Sequence, residues 1–163
     1  MKKVFILLGA MLLLLNGCDK LSILSQKDKT CTGYYVYGAD SPLVGIDYQC
    51  GNIKGVTNKK GKFSFDSNSD CEFRVGSIKI RDVYSQELRD NIFLQEENQR
   101  VIKFLKSLTI SKRGVVIDNL TKKALDALKI EEIPESDIIL QATIDAVKSY
   151  LLKKNNKRLL SSI

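Results

Sequence analysis

The spacing of apolar residues changes period partway along this chain of 163 residues, and no other feature limits its fold as much. From Thr30 to about Arg81 the period is two. Ile46, Tyr48 and Cys50 alternate with Asp47 and Gln49, Phe63 and Phe65 flank Ser64, Cys71, Phe73 and Val75 alternate with Glu72 and Arg74, and Ile78 and Ile80 flank Lys79. Such alternation predicts half-buried strands with one face on a core. Ser41-Pro42, Ser67-Asn68-Ser69-Asp70 and Asn58-Lys59-Lys60-Gly61 read as turns. Gly61 supplies the left-handed residue that a four-residue hairpin loop needs. After Val83 the period lengthens. Val101, Leu105 and Leu108, with Ile102 and Phe104 beside them, predict a helix over about 97–109 with Asn98 as a cap. Leu120, Ala124, Leu125 and Leu128 predict a short helix over 120–129, and Pro134 breaks the chain. A long helix follows over about 136–154. Its stripe is read as Ile139, Ala142, Ala146, Val147, Tyr150 and Leu151, widened by Leu140 and Ile144. Strands first and helices second make the class α+β. The expected organisation is a small antiparallel, sandwich-like β-module over 31–82 and a helical region over 83–163.

The N-terminus carries a different kind of signal. Met1-Lys2-Lys3 is basic and Val4 to Leu15 is a greasy run of twelve residues, with Gly17 just ahead of Cys18. This is the layout of a secretory signal, and it falls short of the roughly 20 apolar residues that a spanning helix needs. Leu15-Asn16-Gly17-Cys18 resembles the lipobox of bacterial lipoproteins. The resemblance implies removal of residues 1–17, diacylation of Cys18 with chains such as palmitate, and a membrane partner held through the N-terminal lipid. Two or more acyl chains anchor stably, at about 0.8 kcal/mol per buried methylene. The stretch 18–30 is mostly polar and is expected to be a tether between lipid and fold. Asp19 follows the lipidated cysteine and resembles an inner-membrane retention signal of the enterobacterial sorting system. The expected location is therefore the cell envelope, with the outer membrane favoured and the inner membrane open.

Composition narrows the chemistry. Without residues 1–17 the chain has 146 residues, and loss of the two signal lysines lowers its charge from +7 to +5. There is no histidine. That removes Ser-His-Asp and Cys-His catalysis, His-based zinc sites and the commonest general base near neutral pH. No cofactor and no metal site are expected, and an exported chain is not expected to bind nucleic acid. Four cysteines fit an oxidising compartment. With Cys18 reserved for lipid, three remain, so one is expected to be odd, as a buried small residue or in a bond to another chain.

The strand region also resembles a β-module of bacterial envelope and surface lipoproteins. The segments GYYVYGADSPLVGIDYQCG, GVTNKKGKFSFD and CEFRVGSIKI carry the match through Asp40, Ser41, Gly45, Tyr48, Cys50, Gly51, Gly55, Thr57, Gly61, Phe63, Phe65, Cys71, Phe73, Val75 and Gly76. Similar proteins continue with a helix like Asn98-Gln99-Arg100 to Leu108 and a short strand like Gly114-Val115-Val116-Ile117. The resemblance spans about 33–128 and departs from the pattern at Arg81, where a glycine is usual. It implies a disulfide between Cys50 and Cys71, and alternation places both on the apolar face of their strands. Modules of this shape mostly serve as spacers or binding domains, so the implied role is non-catalytic.

Four groups of residues bear on that role. Asp66-Ser67-Asn68-Ser69-Asp70 begins like a calcium loop, but Cys71 and Ser77 stand where glycine and glutamate are required. A solvated turn is expected instead. Glu87, Asp90, Glu96 and Glu97 form the carboxylate set that an enzyme acting on envelope polymers would need, and they also suit the start of a helix. The basic end Lys153, Lys154, Lys157 and Arg158 complements a helix C-terminus. Tyr34, Tyr35 and Tyr37 are the candidate recognition residues, with Tyr35 and Tyr37 on one face and Tyr34 on the other. The expected function is a lipid-anchored envelope component that binds an envelope protein or a host-surface partner. The competing expectations are a carboxylate-based enzyme and an accessory lipoprotein of a secretion or assembly system.

Overall fold

The computed structural model describes residues 30–109 and 114–160, with side chains as far as Asn155. The signal peptide, Cys18 and nearly all of the expected tether lie outside the described residues. The class is α+β, with nine strands and three helices among the described residues.

A three-stranded sheet has the order β5-β1-β8, built from β1 (Thr30–Val36), β5 (Lys62–Asp66) and β8 (Ile92–Gln95). A four-stranded sheet has the order β4-β3-β6-β7, built from β3 (Asp47–Cys50), β4 (Ile53–Val56), β6 (Cys71–Val75) and β7 (Ile78–Val83). A short pair joins β2 (Leu43–Val44) to β9 (Val115–Val116). The sheets are not purely antiparallel as expected. Both β1–β8 and β2–β9 are parallel, because the chain returns to each partner after long excursions. The helices are α1 (Gln99–Leu108), α2 (Asn119–Ala127) and α3 (Asp137–Leu160).

Alternation decides which side chains meet. Cys31 and Tyr35 point inward from β1, Phe63 and Phe65 from β5, and Cys71, Phe73 and Val75 from β6. The two larger sheets meet through rings. The Tyr35 and Phe73 centroids lie 4.6 Å apart, and Phe63 meets Phe73 edge-on at 5.0 Å. Edge-to-face and offset pairs of this kind contribute about 0.5–1.5 kcal/mol beyond their buried area. The same core takes in Phe104 and Leu105 of α1, Leu125 of α2, and Leu140, Ile144 and Val147 of α3. Strand and helical regions therefore share one core.

Local signals explain the joints. Asn98 caps α1 by accepting from the backbone N–H groups of Arg100 and Val101, and Asp118 caps α2 by accepting from that of Thr121. The turn at 58–61 forms as read. The Asn58 side chain accepts from the amides of Lys60 and Lys62, and Gly61 has φ +72°. It is not a hairpin, however. It carries the chain from β4 in one sheet to β5 in the other. The tight hairpins are β3–β4, turning at Gly51-Asn52, and β6–β7, turning at Gly76-Ser77. Helix α3 shows a second correction. Its buried stripe is Leu140, Ile144 and Val147, while Ile139, Ala142 and Ala146 are exposed. The face that turns inward carries three larger aliphatic side chains where the adjacent face carries two alanines, and this leaves Ile138 and Ile139 in water.

Candidate functional site

Strand β1 divides the three tyrosines. Tyr35 is fully buried, so it is a core residue and offers nothing to a partner. Its hydroxyl donates to Glu96 Oε2, and Glu96 Oε1 accepts from the backbone N–H of Asn98. Burial pushes the Tyr35 phenol far above its ordinary pKa, the negative charge of Glu96 pushes it further, and Arg81 opposes both. Tyr37 is half-buried, and the Lys106 ammonium sits 4.5 Å from its ring centroid. Tyr34 points to the outer face of the β5-β1-β8 sheet and stacks on Phe93, with centroids 5.1 Å apart and ring planes 18° from parallel.

Register completes this face. Tyr34 lies opposite Lys62 on β5 and opposite Phe93 on β8, so Lys62, Tyr34 and Phe93 form one row across the sheet. The alternate residues Phe63 and Leu94 are buried, which turns Lys62 and Phe93 outward. Phe93 is 66% exposed although it is a large aromatic. Strand β8 ends the sheet, so one face of the Phe93 ring rests on Tyr34 and the other looks off the edge. Toward the start of β1 the neighbours are acidic. Asp66 lies opposite Thr30, and Asp90 accepts from the Thr32 backbone N–H at 2.9 Å.

The carboxylates do not converge on a cleft. Glu96 is buried against Tyr35, Asp90 holds β1, Glu87 accepts from the Tyr84 backbone N–H at 3.2 Å, and Glu97 is exposed. Glu96, Asp90 and Glu87 are thus held by three different local contacts. The segment 66–70 forms the expected turn, in which Asp70 accepts from the Ser85 backbone N–H at 2.7 Å. The described residues also form two open clefts. One, of about 370 Å³, lies beside Cys71 among Gln49, Asp70, Glu72, Asp82 and Tyr84. The other, of about 530 Å³, lies between Lys79, Asn98, Arg100, Glu132 and Glu135. Lys79 bridges to Asp82 at 2.7 Å, and this hydrogen bond raises its pKa. Arg100 bridges to Asp137 at 3.1 Å.

Cys50 and Cys71 face each other in the β3–β6 register with Cα atoms 4.1 Å apart and are joined by a disulfide. Cys31, expected to be the odd cysteine, is buried in β1 and is disulfide-bonded as well. Among the described residues no cysteine thiol is free.

Reading the sequence alone missed Phe93, and it placed Glu96 in a carboxylate set at the start of a helix, not as the buried partner of Tyr35. The signal in Ile92-Phe93-Leu94-Gln95 is only a run of three apolar residues flanked by Asn91 and Gln95, too brief to show a period. No family model matches the chain, and neither a curated protein nor a solved structure is significantly similar to it.

Proposed function

We propose that this chain is a lipid-anchored cell-envelope protein that works by non-catalytic recognition, through the outer face of the β5-β1-β8 sheet. The observation that carries this reading is Phe93, a large ring stacked on Tyr34 and left open to solvent at a sheet edge. Exposed aromatics set in a polar surround are favoured at binding surfaces, because a rigid ring buries much area at little entropic cost. The lipobox-like segment ending at Cys18 supports the anchor, which requires the Cys31 disulfide to be made to another chain in the anchored protein, and the resemblance of 33–128 to lipoprotein β-modules supports a binding role. The disulfide suits an oxidising compartment.

Protease shaving of intact cells tests the location, with a periplasmic protein as the control for leakage. Loss of the mature protein places the recognition face outside the cell. Protection until the outer membrane is opened makes the protein a subunit of a periplasmic assembly. Recovery in the cytosolic fraction with residues 1–17 still attached overturns the reading.

A further inference from the structure

The recognition face has a charge pattern that identifies a class of partner. Between Gly51 and Phe65 the chain carries Lys54, Lys59, Lys60 and Lys62 and no acidic residue. Lys59 and Lys60 are exposed at the turn leading into β5, and Lys62 begins the row that continues through Tyr34 to Phe93. The Gly61 carbonyl accepts from the Tyr35 backbone N–H, which fixes this turn against the same part of β1. The row spans two strand spacings, or about 10 Å. One end presents an ammonium and the other an open aromatic face.

Position along β1 separates the possible occupants. The chain enters the fold at Thr30, beside Asp66 and Asp90, and the lysine end lies four residues farther on, about 13 Å away. The acidic end is therefore the one nearer the expected tether, and the basic end lies farther from it. An anionic bilayer under the protein would call for the reverse polarity. An acidic peptide added to β8 would pair through backbone groups, with no particular need for an open ring face. An acidic polysaccharide matches both features. The apolar face of a sugar ring packs flat on an aromatic ring, and a neighbouring carboxylate pairs with an ammonium.

On these grounds we infer that the outer row Lys62–Tyr34–Phe93, with Lys59 and Lys60, docks an acidic polysaccharide, a sugar ring resting on Phe93 and a uronate carboxylate on Lys62. This inference rests on the recognition reading given above and narrows it to one class of partner.

The test uses the purified full-length mature protein in detergent, titrated with polygalacturonate, with neutral dextran and poly-L-glutamate as comparison polymers. Polygalacturonate should bind, more weakly as salt rises, and dextran should not. Phe93→Ala should weaken polygalacturonate binding about tenfold, the loss expected of a central aromatic anchor. Phe93→Tyr should retain binding, and the triple variant K59Q/K60Q/K62Q should lose it. Phe93 and the turn lysines are at the surface, and an unchanged circular dichroism spectrum confirms that each variant is folded. Equal binding of poly-L-glutamate with no effect of Phe93→Ala would overturn the inference in favour of an acidic peptide or simple ion exchange. Failure of polygalacturonate to bind would also overturn it. If a photo-crosslinker at position 93 then captured an envelope protein in cells, the broader recognition reading would stand. If it captured nothing, both would fall.

Discussion

Replacing Tyr35 by Phe removes one oxygen from the centre of the protein and should cost more than its size suggests. The hydroxyl is fully buried and donates to Glu96, which is itself only 4% exposed. A hydrogen bond to a charged group contributes about 1.5–3 kcal/mol, and a buried carboxylate oxygen left without its donor loses that contribution in full. Glu96 keeps one donor, the Asn98 backbone N–H, so the expected loss is about 2 kcal/mol. With a urea m-value of about 1.5 kcal/mol/M, the unfolding midpoint should fall by about 1.3 M at unchanged m. Glu96→Gln keeps an acceptor and should cost less. The pair also makes a prediction in alkali. The unfolded phenol loses its proton near pH 10, whereas the folded one holds it well above that. Above pH 10 the unfolded state therefore binds fewer protons, and stability falls as pH rises. Tyr35 alone should account for a loss of about 0.4 kcal/mol at pH 10 and about 1.4 kcal/mol at pH 11. Tyr35→Phe should flatten the curve of stability against pH by those amounts. Urea unfolding at pH 8, 10 and 11 measures both effects. A variant within about 0.5 kcal/mol of the parent at pH 8, with the same alkaline slope, would refute the buried pair.

Three further expectations follow from the fold. Replacing Cys50 and Cys71 together by Ser opens a 21-residue separation and should cost about 3 kcal/mol in chemical unfolding; no loss would mean the strands are pinned without the bridge. Gly45→Ala should destabilise by more than about 2 kcal/mol, because Gly45 has φ +81° and an added Cβ would run into the Ile117 carbonyl oxygen; a neutral result would contradict that close approach. Lys122→Met should cost about 1 kcal/mol in thermal or urea unfolding, since it removes the 2.6 Å bridge from α2 to Asp47 while Asp47 regains water; a stabilised variant would show that the bridge does not dock the helix.

The strands β3, β5 and β6 were legible because each buries one face and shows it as an alternation, whereas β7 alternates only as far as Ile80, where a shift of register brings Val83 inward. Helix α1 was also legible, since its cap Asn98 and five buried apolar residues all fall within a single helical pattern. What could not be read was partnership. The Asn58 turn is written in local chemistry, since an Asn side chain and a left-handed glycine make it. Whether the next strand pairs back or crosses to another sheet depends on the whole core. The same holds for β1 and β8, parallel neighbours that lie 59 positions apart in the Gly33↔Ile92 register. In α3 the spacing permits two adjacent stripes. The core took Leu140, Ile144 and Val147 and left out Ile139 with Ala142 and Ala146. At the candidate site, the tyrosines were visible but their sorting was incomplete. Tyr35 found a buried carboxylate, and the ring that makes Tyr34 notable, Phe93, sits in a four-residue strand too short to stand out by periodicity.

The account rests most heavily on Cys18, and mass spectrometry of the N-terminal peptide of the mature protein tests it directly. The account predicts a chain beginning at Cys18, with its sulfur in a thioether to diacylglycerol and residues 1–17 gone. A thioether and a disulfide cannot share one sulfur. A chain that retains residues 1–17, or a peptide in which Cys18 is disulfide-linked to Cys31, would contradict the lipid anchor.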